Sequence, residues 1–251
     1  VLSGCSKPTT RSVSSSASRG ASSSHNREWF IFVAKSLPSP LLSSFTAKLQ
    51  DLLGNAAHSG DIVHVVGTPD HEPLANFTIP EGTMRKRLHD PTVLQQVRRV
   101  AEVFSPASAV KTAEDCGQLQ LPMVSSSISS LRRTKFPSRV ILIGNPIYED
   151  EDQRGWSMAG GHVPTDSSLD SAISPFHNVR DFAPETSISW LTPSSNWGSD
   201  RNHRDAVIRF YRLFFQHNAA TLCRVTVDTH AAFFSETSQF SDTLIPNETD
   251  D

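Results

Sequence analysis

Phe30-Ile31-Phe32-Val33-Ala34-Lys35-Ser36-Leu37-Pro38-Ser39-Pro40 (FIFVAKSLPSP) is the stretch on which the reading of this chain turns. Five apolar positions in succession, preceded by Trp29, read as a short strand buried on both faces, the pattern of a parallel sheet covered by helices. Ser39-Pro40 then supplies an N-cap hydroxyl and a proline at the first helical position, and Leu42, Phe45, Leu49 and Leu52 recur at helical spacing up to Gly54. A strand, a short polar loop and a helix form the unit in which open α/β sheets place ligands, at the carboxyl end of the strand. The loop Lys35-Ser36-Leu37-Pro38 is therefore the first place to look for function.

The same logic extends along the chain. Asp61 to Gly67 reads as a second strand, and after the turn residues Thr68-Pro69-Asp70-His71-Glu72 the alternating run Leu74 to Ile79 folds back against it as an antiparallel hairpin. Asp90-Pro91 opens a helix with Val93, Val97, Val100, Ala101 and Phe104 on one face, and a serine-rich helix follows from Met123 to Leu131. Arg139 to Ile143 is a buried strand ended by Gly144-Asn145-Pro146. Thr186 to Leu191 gives a fifth strand, Asn202 to Gln216 an amphipathic helix carrying Ala206, Phe210, Leu213 and Phe214, and Leu222 to Val227 a sixth strand. The intervening stretch from Ile147 to Pro184 is rich in Gly, Pro, Asp and Ser without periodicity and reads as a cover over an edge of the sheet. The expected fold is a three-layer, doubly wound α/β domain: a mainly parallel six-stranded sheet, Rossmann-like, with one antiparallel edge strand.

Composition narrows the function classes. The chain has 251 residues, 37% hydrophobic and 20% charged, with a formal charge of -3, so nothing in its balance points to nucleic acid as a partner. The basic clusters Met84-Arg85-Lys86-Arg87 and Leu131-Arg132-Arg133-Thr134-Lys135 fall between expected elements and read as solvated charge. No stretch approaches the roughly 18 apolar residues of a membrane-spanning helix. Cys5, Cys116 and Cys223 show neither the spacing of a disulfide framework nor that of a zinc site; the last two either pair in an oxidising compartment or stand as separate buried thiols. No phosphate loop, dinucleotide fingerprint or zinc-protease helix occurs, and no cofactor is expected.

Residues 1–28 read as an address followed by a tether. Leu2-Ser3-Gly4-Cys5 resembles the lipobox of bacterial lipoproteins, the end of a signal peptide after which the cysteine becomes the acylated N-terminus. Ser6 to Asn26 is rich in serine, has little to bury, and suits a flexible linker. The resemblance implies a lipid anchor on Cys5 and a bacterial cell-envelope location, with Ser6 pointing to the periplasmic side of the outer membrane. Residues 29–235 make the expected domain, and residues 236–251 a loose acidic tail.

The element order, with its short antiparallel hairpin after the first helix, resembles the von Willebrand factor A-type domain from Trp29 to about Phe234. Members of that family commonly hold a metal ion at the carboxyl ends of the strands, using Asp-x-Ser-x-Ser after the first strand, a threonine and a further aspartate. In this chain the matching loop is Ala34-Lys35-Ser36-Leu37-Pro38, in which Ser36 alone keeps the family's residue, and the later aspartate falls near Gly144-Asn145. A hard divalent cation wants several oxygen ligands and carboxylate charge, so the resemblance implies a degenerate metal site and a binding or assembly module acting on a protein partner.

Other constellations offer alternatives. Ser36 as nucleophile, Asn145 as an oxyanion donor, and Asp228 with His230 as acid and base would make a serine hydrolase faintly similar to the SGNH esterases, whose Gly-Asp-Ser is absent here and whose Asp-x-x-His becomes Asp228-x-His230. Against this, Ser36 can equally turn the loop and His230 begin a terminal helix. Glu149-Asp150-Glu151-Asp152 lacks the alternating ligands and turn glycine of a calcium loop and reads as solvated. Tyr148, Trp156, Trp190 and Trp197 lie in or beside loops of the carboxyl edge, where exposed aromatic rings would suit a protein or glycan contact and buried ones would pack beneath the long segment.

Overall fold

A computed structural model describes residues 26–37, 39–103, 119–149, 154–177, 182–183 and 185–234. Cys5, Cys116, Asp150 to Asp152 and the acidic tail lie outside these residues. The described chain runs β1 (Glu28–Ala34), α1 (Ser39–Asp51), β2 (Ile62–Thr68), β3 (Glu72–Thr78), α2 (Met84–Leu88), α3 (Pro91–Val103), α4 (Leu121–Leu131), β4 (Ser138–Ile143), β5 (Thr186–Leu191), α5 (Arg201–His217), β6 (Ala220–Thr226) and α6 (Thr229–Phe234). The sheet order is β3-β2-β1-β4-β5-β6. All neighbours pair in parallel except β2 and β3, and helices pack on both faces, as the alternation of apolar strands and amphipathic helices predicts.

Strand β1 sits between β2 and β4, and every residue from Trp29 to Ala34 is fully buried. That is why its sequence is an unbroken apolar run rather than an alternating one. Helix α1 touches both α3 and α6, and its Phe45 meets Phe233 of α6 at 6.5 Å between ring centroids. On α5 the buried stripe is His203, Val207, Phe210, Tyr211, Phe214 and Phe215. Ala206, expected on that face, is exposed, and Leu213 is half-buried, because the stripe follows the aromatic rings.

The long stretch after β4 packs against α5 through its aromatic rings. Phe176 makes edge-on contacts with Tyr148, Phe210 and Phe214 at 5.1, 5.1 and 5.6 Å, and Phe182 meets Phe215 at 5.7 Å. Short 3-10 turns at Arg154–Trp156, Ala159–Gly161 and Asp166–Leu169 carry the chain between these anchors. The basic run Met84–Leu88, read as lying between elements, is a short helix, in which Arg87 donates to the carbonyl of Ala57 at 2.6 Å. Among the described residues no helix is long and apolar enough to cross a membrane.

The amino edge of the sheet is tied by buried carboxylates. Glu28 is 0% exposed and accepts from His64 Nε2 at 2.8 Å, the Arg133 amide at 2.8 Å, the Thr134 amide at 3.2 Å and the Thr134 hydroxyl at 2.8 Å. Asp61, equally buried, stands just before β2 instead of opening it, and accepts from the amides of Arg27 and His58 and from Trp29 Nε1. The Arg132 guanidinium donates to the Ser138 hydroxyl, and the Arg139 guanidinium lies 5.1 Å over the Trp29 ring. A buried carboxylate persists only when its oxygens are fully bonded, which these are. On the far side, β3 is blunted as an outer strand: it carries Pro73, begins at exposed Glu72, and meets β2 through a bulge at Val65/Val66.

Burial alone would raise the Glu28 carboxyl pKa, but the hydrogen bonds from His64, Arg133 and Thr134 outweigh it and hold the value below the ordinary one. Its stabilising contribution is thus fully present above the ordinary carboxyl value and is lost as pH falls through the lower folded-state value. Glu28→Ala is expected to cost about 3 to 5 kcal/mol at neutral pH by stranding its partners. Urea unfolding across a pH series should show the gap between wild type and variant narrowing on acidification; a gap independent of pH would contradict the assignment.

Candidate functional site

The carboxyl edge of the sheet is built from the ends of β1, β2, β4, β5 and β6. After β1 the chain turns at once: the Leu37 amide donates to the Ala34 carbonyl at 3.3 Å, with Lys35 and Ser36 at the centre of the turn and Leu37 buried behind it. The Lys35 amide meanwhile extends the ladder to Thr68 at 3.0 Å. This leaves the Lys35 side chain to reach across β2. Its stem passes over Gly67, where a Cβ would stand 2.6 Å from Lys35 Cε, so a larger residue there would push the end of the lysine aside.

Lys35 Nζ ends between two carboxylates of the β2–β3 tip, 2.9 Å from Asp70 Oδ2 and 2.7 Å from Glu72 Oε2. Burial alone would lower the ammonium pKa, but Glu72 and Asp70 raise it above the ordinary value, and Lys35 holds the Asp70 carboxyl below its own. The tip itself turns through His71, in the left-handed region at φ 56°, whose ring leans on Phe32 and bonds the Ser127 hydroxyl of α4. The first strand's loop therefore holds an internal ammonium clamped by the neighbouring hairpin.

The end of β4 is equally tied. Trp190 Nε1 donates to the Gly144 carbonyl at 3.0 Å, and Tyr211 Oη donates to the Pro146 carbonyl at 2.7 Å, both from buried rings. Burial pushes the Tyr211 hydroxyl well above its ordinary value. Asn145 is half-buried, and its side-chain oxygen accepts from the Ile147 amide at 3.1 Å, shaping the turn. Leu119, Gln120, Asn145, Tyr148, Trp190 and Tyr211 line a slot with room for about one water.

The residues proposed from the sequence fall as follows. Ser36 is half-exposed in the turn after β1. Asp228 accepts from the amides of His230 and Ala231 and so caps α6, while the exposed His230 ring lies 4.8 Å from Phe234. These contacts are local to α6. Three strand steps of about 4.8 Å separate β1 from β6, which sets Ser36 and Asp228 at opposite ends of this part of the edge. Tyr148 and Trp197 are buried, at 7% and 8% exposure, Trp190 is a strand residue in the core, and Trp156 is half-buried against it. The aromatic rings thus fill the space beneath the long segment instead of presenting an exposed platform. Cys223 is buried, its Sγ 3.7 Å from the Thr221 carbonyl.

Lys35, Asp70, Glu72, His71 and Ser127 form the polar group of this edge that sequence reasoning did not assemble. The signal was present as a lysine in the turn after a buried strand and two acids flanking a hairpin histidine, but only strand adjacency joins them. Among the described residues no cluster of three or more His, Cys, Asp or Glu side chains has the arrangement of a metal site.

An open, doubly wound α/β domain with a polar carboxyl edge is the class these features define. The chain matches no protein-family model and no curated protein.

Because all three members of the clamp are partly exposed, Lys35→Met is expected to change unfolding free energy by about 1 kcal/mol or less. The sensitive readout is Asp70, whose carboxyl resonance should titrate closer to the ordinary aspartate value in the variant. An unchanged Asp70 titration would mean that the ammonium does not sit between the acids in solution.

Proposed function

We propose that this chain is a non-catalytic binding or assembly module of von Willebrand A-like architecture, anchored by lipid on Cys5 in a bacterial cell envelope, on the periplasmic side of the outer membrane. Its partner is a protein, engaged at the carboxyl edge of the sheet without a metal ion at the family's usual position. The observation that carries this reading is the Lys35 clamp: the family's metal-binding loop would begin with an acid at Ala34, and the next residue instead supplies a fixed ammonium bonded to Asp70 and Glu72. A cation placed there would have to compete with the Lys35 ammonium for the two carboxylates beside it. The antiparallel hairpin after the first helix and the mainly parallel sheet support the architectural part of the reading. The alternative of hydrolysis by Ser36 and His230 has less support, since Asp228 and His230 serve α6.

Titration calorimetry of the full chain with Mg²⁺, Mn²⁺ and Ca²⁺ is expected to give no saturable binding. Tight binding abolished by Asn145→Ala would restore a metal-dependent role and overturn the proposal. In cells, Cys5→Ala should move the protein from the membrane to the soluble fraction, and a photo-crosslinking residue at Ser36 should trap a partner that one at Lys135, on the amino edge, does not. Equal trapping at both edges would remove the assigned surface.

A further inference from the structure

The His71 side chain ties the β2–β3 tip to α4. His71 Nδ1 lies 2.9 Å from Ser127 Oγ, and its ring leans on Phe32 of β1 at 5.9 Å. Nε2 is sealed from solvent without a hydrogen bond of good geometry, and the backbone carbonyls of Leu119 and Gln120 lie near enough to the ring to favour its protonated form. The tip reaches this position with His71 in the left-handed region, at φ 56°, and Gln120 enters α4 in the same region, at φ 47°. Each is a conformation that a side chain accepts only where its surroundings hold it.

Ser127 is committed to the ring. Ser129 and Ser130 on the same helix return their hydroxyls to the carbonyls of Ser125 and Ser126, one turn back, whereas Ser127 reaches across to the hairpin. The carbonyls of Leu119 and Gln120 favour a neutral imidazole with its proton on Nε2, and in that tautomer Nδ1 accepts the Ser127 hydroxyl proton.

We propose that His71 is a proton-operated latch that closes the β2–β3 tip onto α4 when neutral and releases it when protonated. A second proton makes Nδ1 a donor. The Ser127 hydroxyl must then reverse, and the ring becomes a cation in a site with no counter-charge on α4, since Leu121–Leu131 contains no ionisable residue. Among the described residues, the charged groups around it belong to the tip and to the end of β1. Asp70 favours the protonated ring through its field, but that carboxylate is already shared with Lys35, as is Glu72. Burial outweighs the Leu119 and Gln120 carbonyls and Asp70 and holds the ring below the ordinary histidine value. The latch is therefore closed above the ordinary value and loosens as pH falls from it through the lower closed-state value. Release frees the segment that carries Asp70 and Glu72, and with it the clamp on Lys35, so the polar group at the carboxyl edge responds as one unit.

Hydrogen exchange of the full chain, corrected for intrinsic rates, tests this between about pH 7.5 and about pH 5.5, a window spanning the ordinary histidine value. Peptides covering residues 70–73 and 119–127 should lose protection on acidification, while those of β1 and β4 keep theirs. His71→Gln, an uncharged donor and acceptor, should abolish the pH dependence at both segments. Ser127→Ala keeps the ring but removes its partner and should lower protection of the same two segments already at the higher pH. Protection that stays constant in the wild type, or the same acid-dependent loss in His71→Gln, would overturn the latch. Should His71→Gln fail to fold, the proposal stands or falls on Ser127→Ala and on direct titration of the His71 ring.

Discussion

A carboxylate that never meets water fixes the start of the central strand. Glu28 opens β1, and its two oxygens gather His64 from β2 and the amides that precede β4, so one side chain aligns the three strands at the middle of the sheet. Removed from solvent without these donors, the charge would cost several kcal/mol; with them it works as a junction. Asp61 does the same one strand over, receiving Trp29 from β1 and two amides beside β2. Because the amino ends are set this firmly, the register of β1 against β2 and β4 runs without interruption from Glu28 to the carboxyl edge.

The two edges of the sheet are consequently unlike. At the amino edge the charged groups are buried, multiply bonded and turned inward. At the carboxyl edge Lys35, Asp70 and Glu72 are partly exposed and bond one another across a short span, with His71 and Ser127 behind them. The first arrangement stabilises a single geometry. The second can change partners at modest cost, since charges in contact with water lose little when they separate. This contrast, more than any one residue, is why function is sought at the carboxyl side.

Much of the fold was legible because β1 and β4 are buried on both faces and carry unbroken apolar runs, Trp29 to Ala34 and Val140 to Ile143, and because Asp90-Pro91 before α3 announces a helix start that the structure realises through the Asp90 side chain. What was illegible follows from residues that work away from their sequence neighbours. Asp61 looks like the first residue of a strand and is instead a hub for three donors. Met84–Leu88 looks like solvated charge and is a helix that anchors Arg87 on Ala57. The face of α5 was misjudged at Ala206 because His203 and Tyr211, polar by type, bury their rings. At the edge, Ser36 and Asn145 were visible as loop residues, but the Lys35 clamp depends on which strand lies beside β1 and passes over the small Gly67, neither of which a linear motif records.

The outer strand β3 has one more implication. A sheet rim with regular, unpaired amides is a template on which another chain can lay a strand, and the hazard grows with concentration. Pro73 has no amide to offer, Glu72 brings charge to the rim, and the bulge at Val65/Val66 twists the ladder beside them. Copies of this domain crowded side by side therefore meet, on this flank, a rim that does not propagate, and crowding alone will not fuse them into a continuous ribbon through β3.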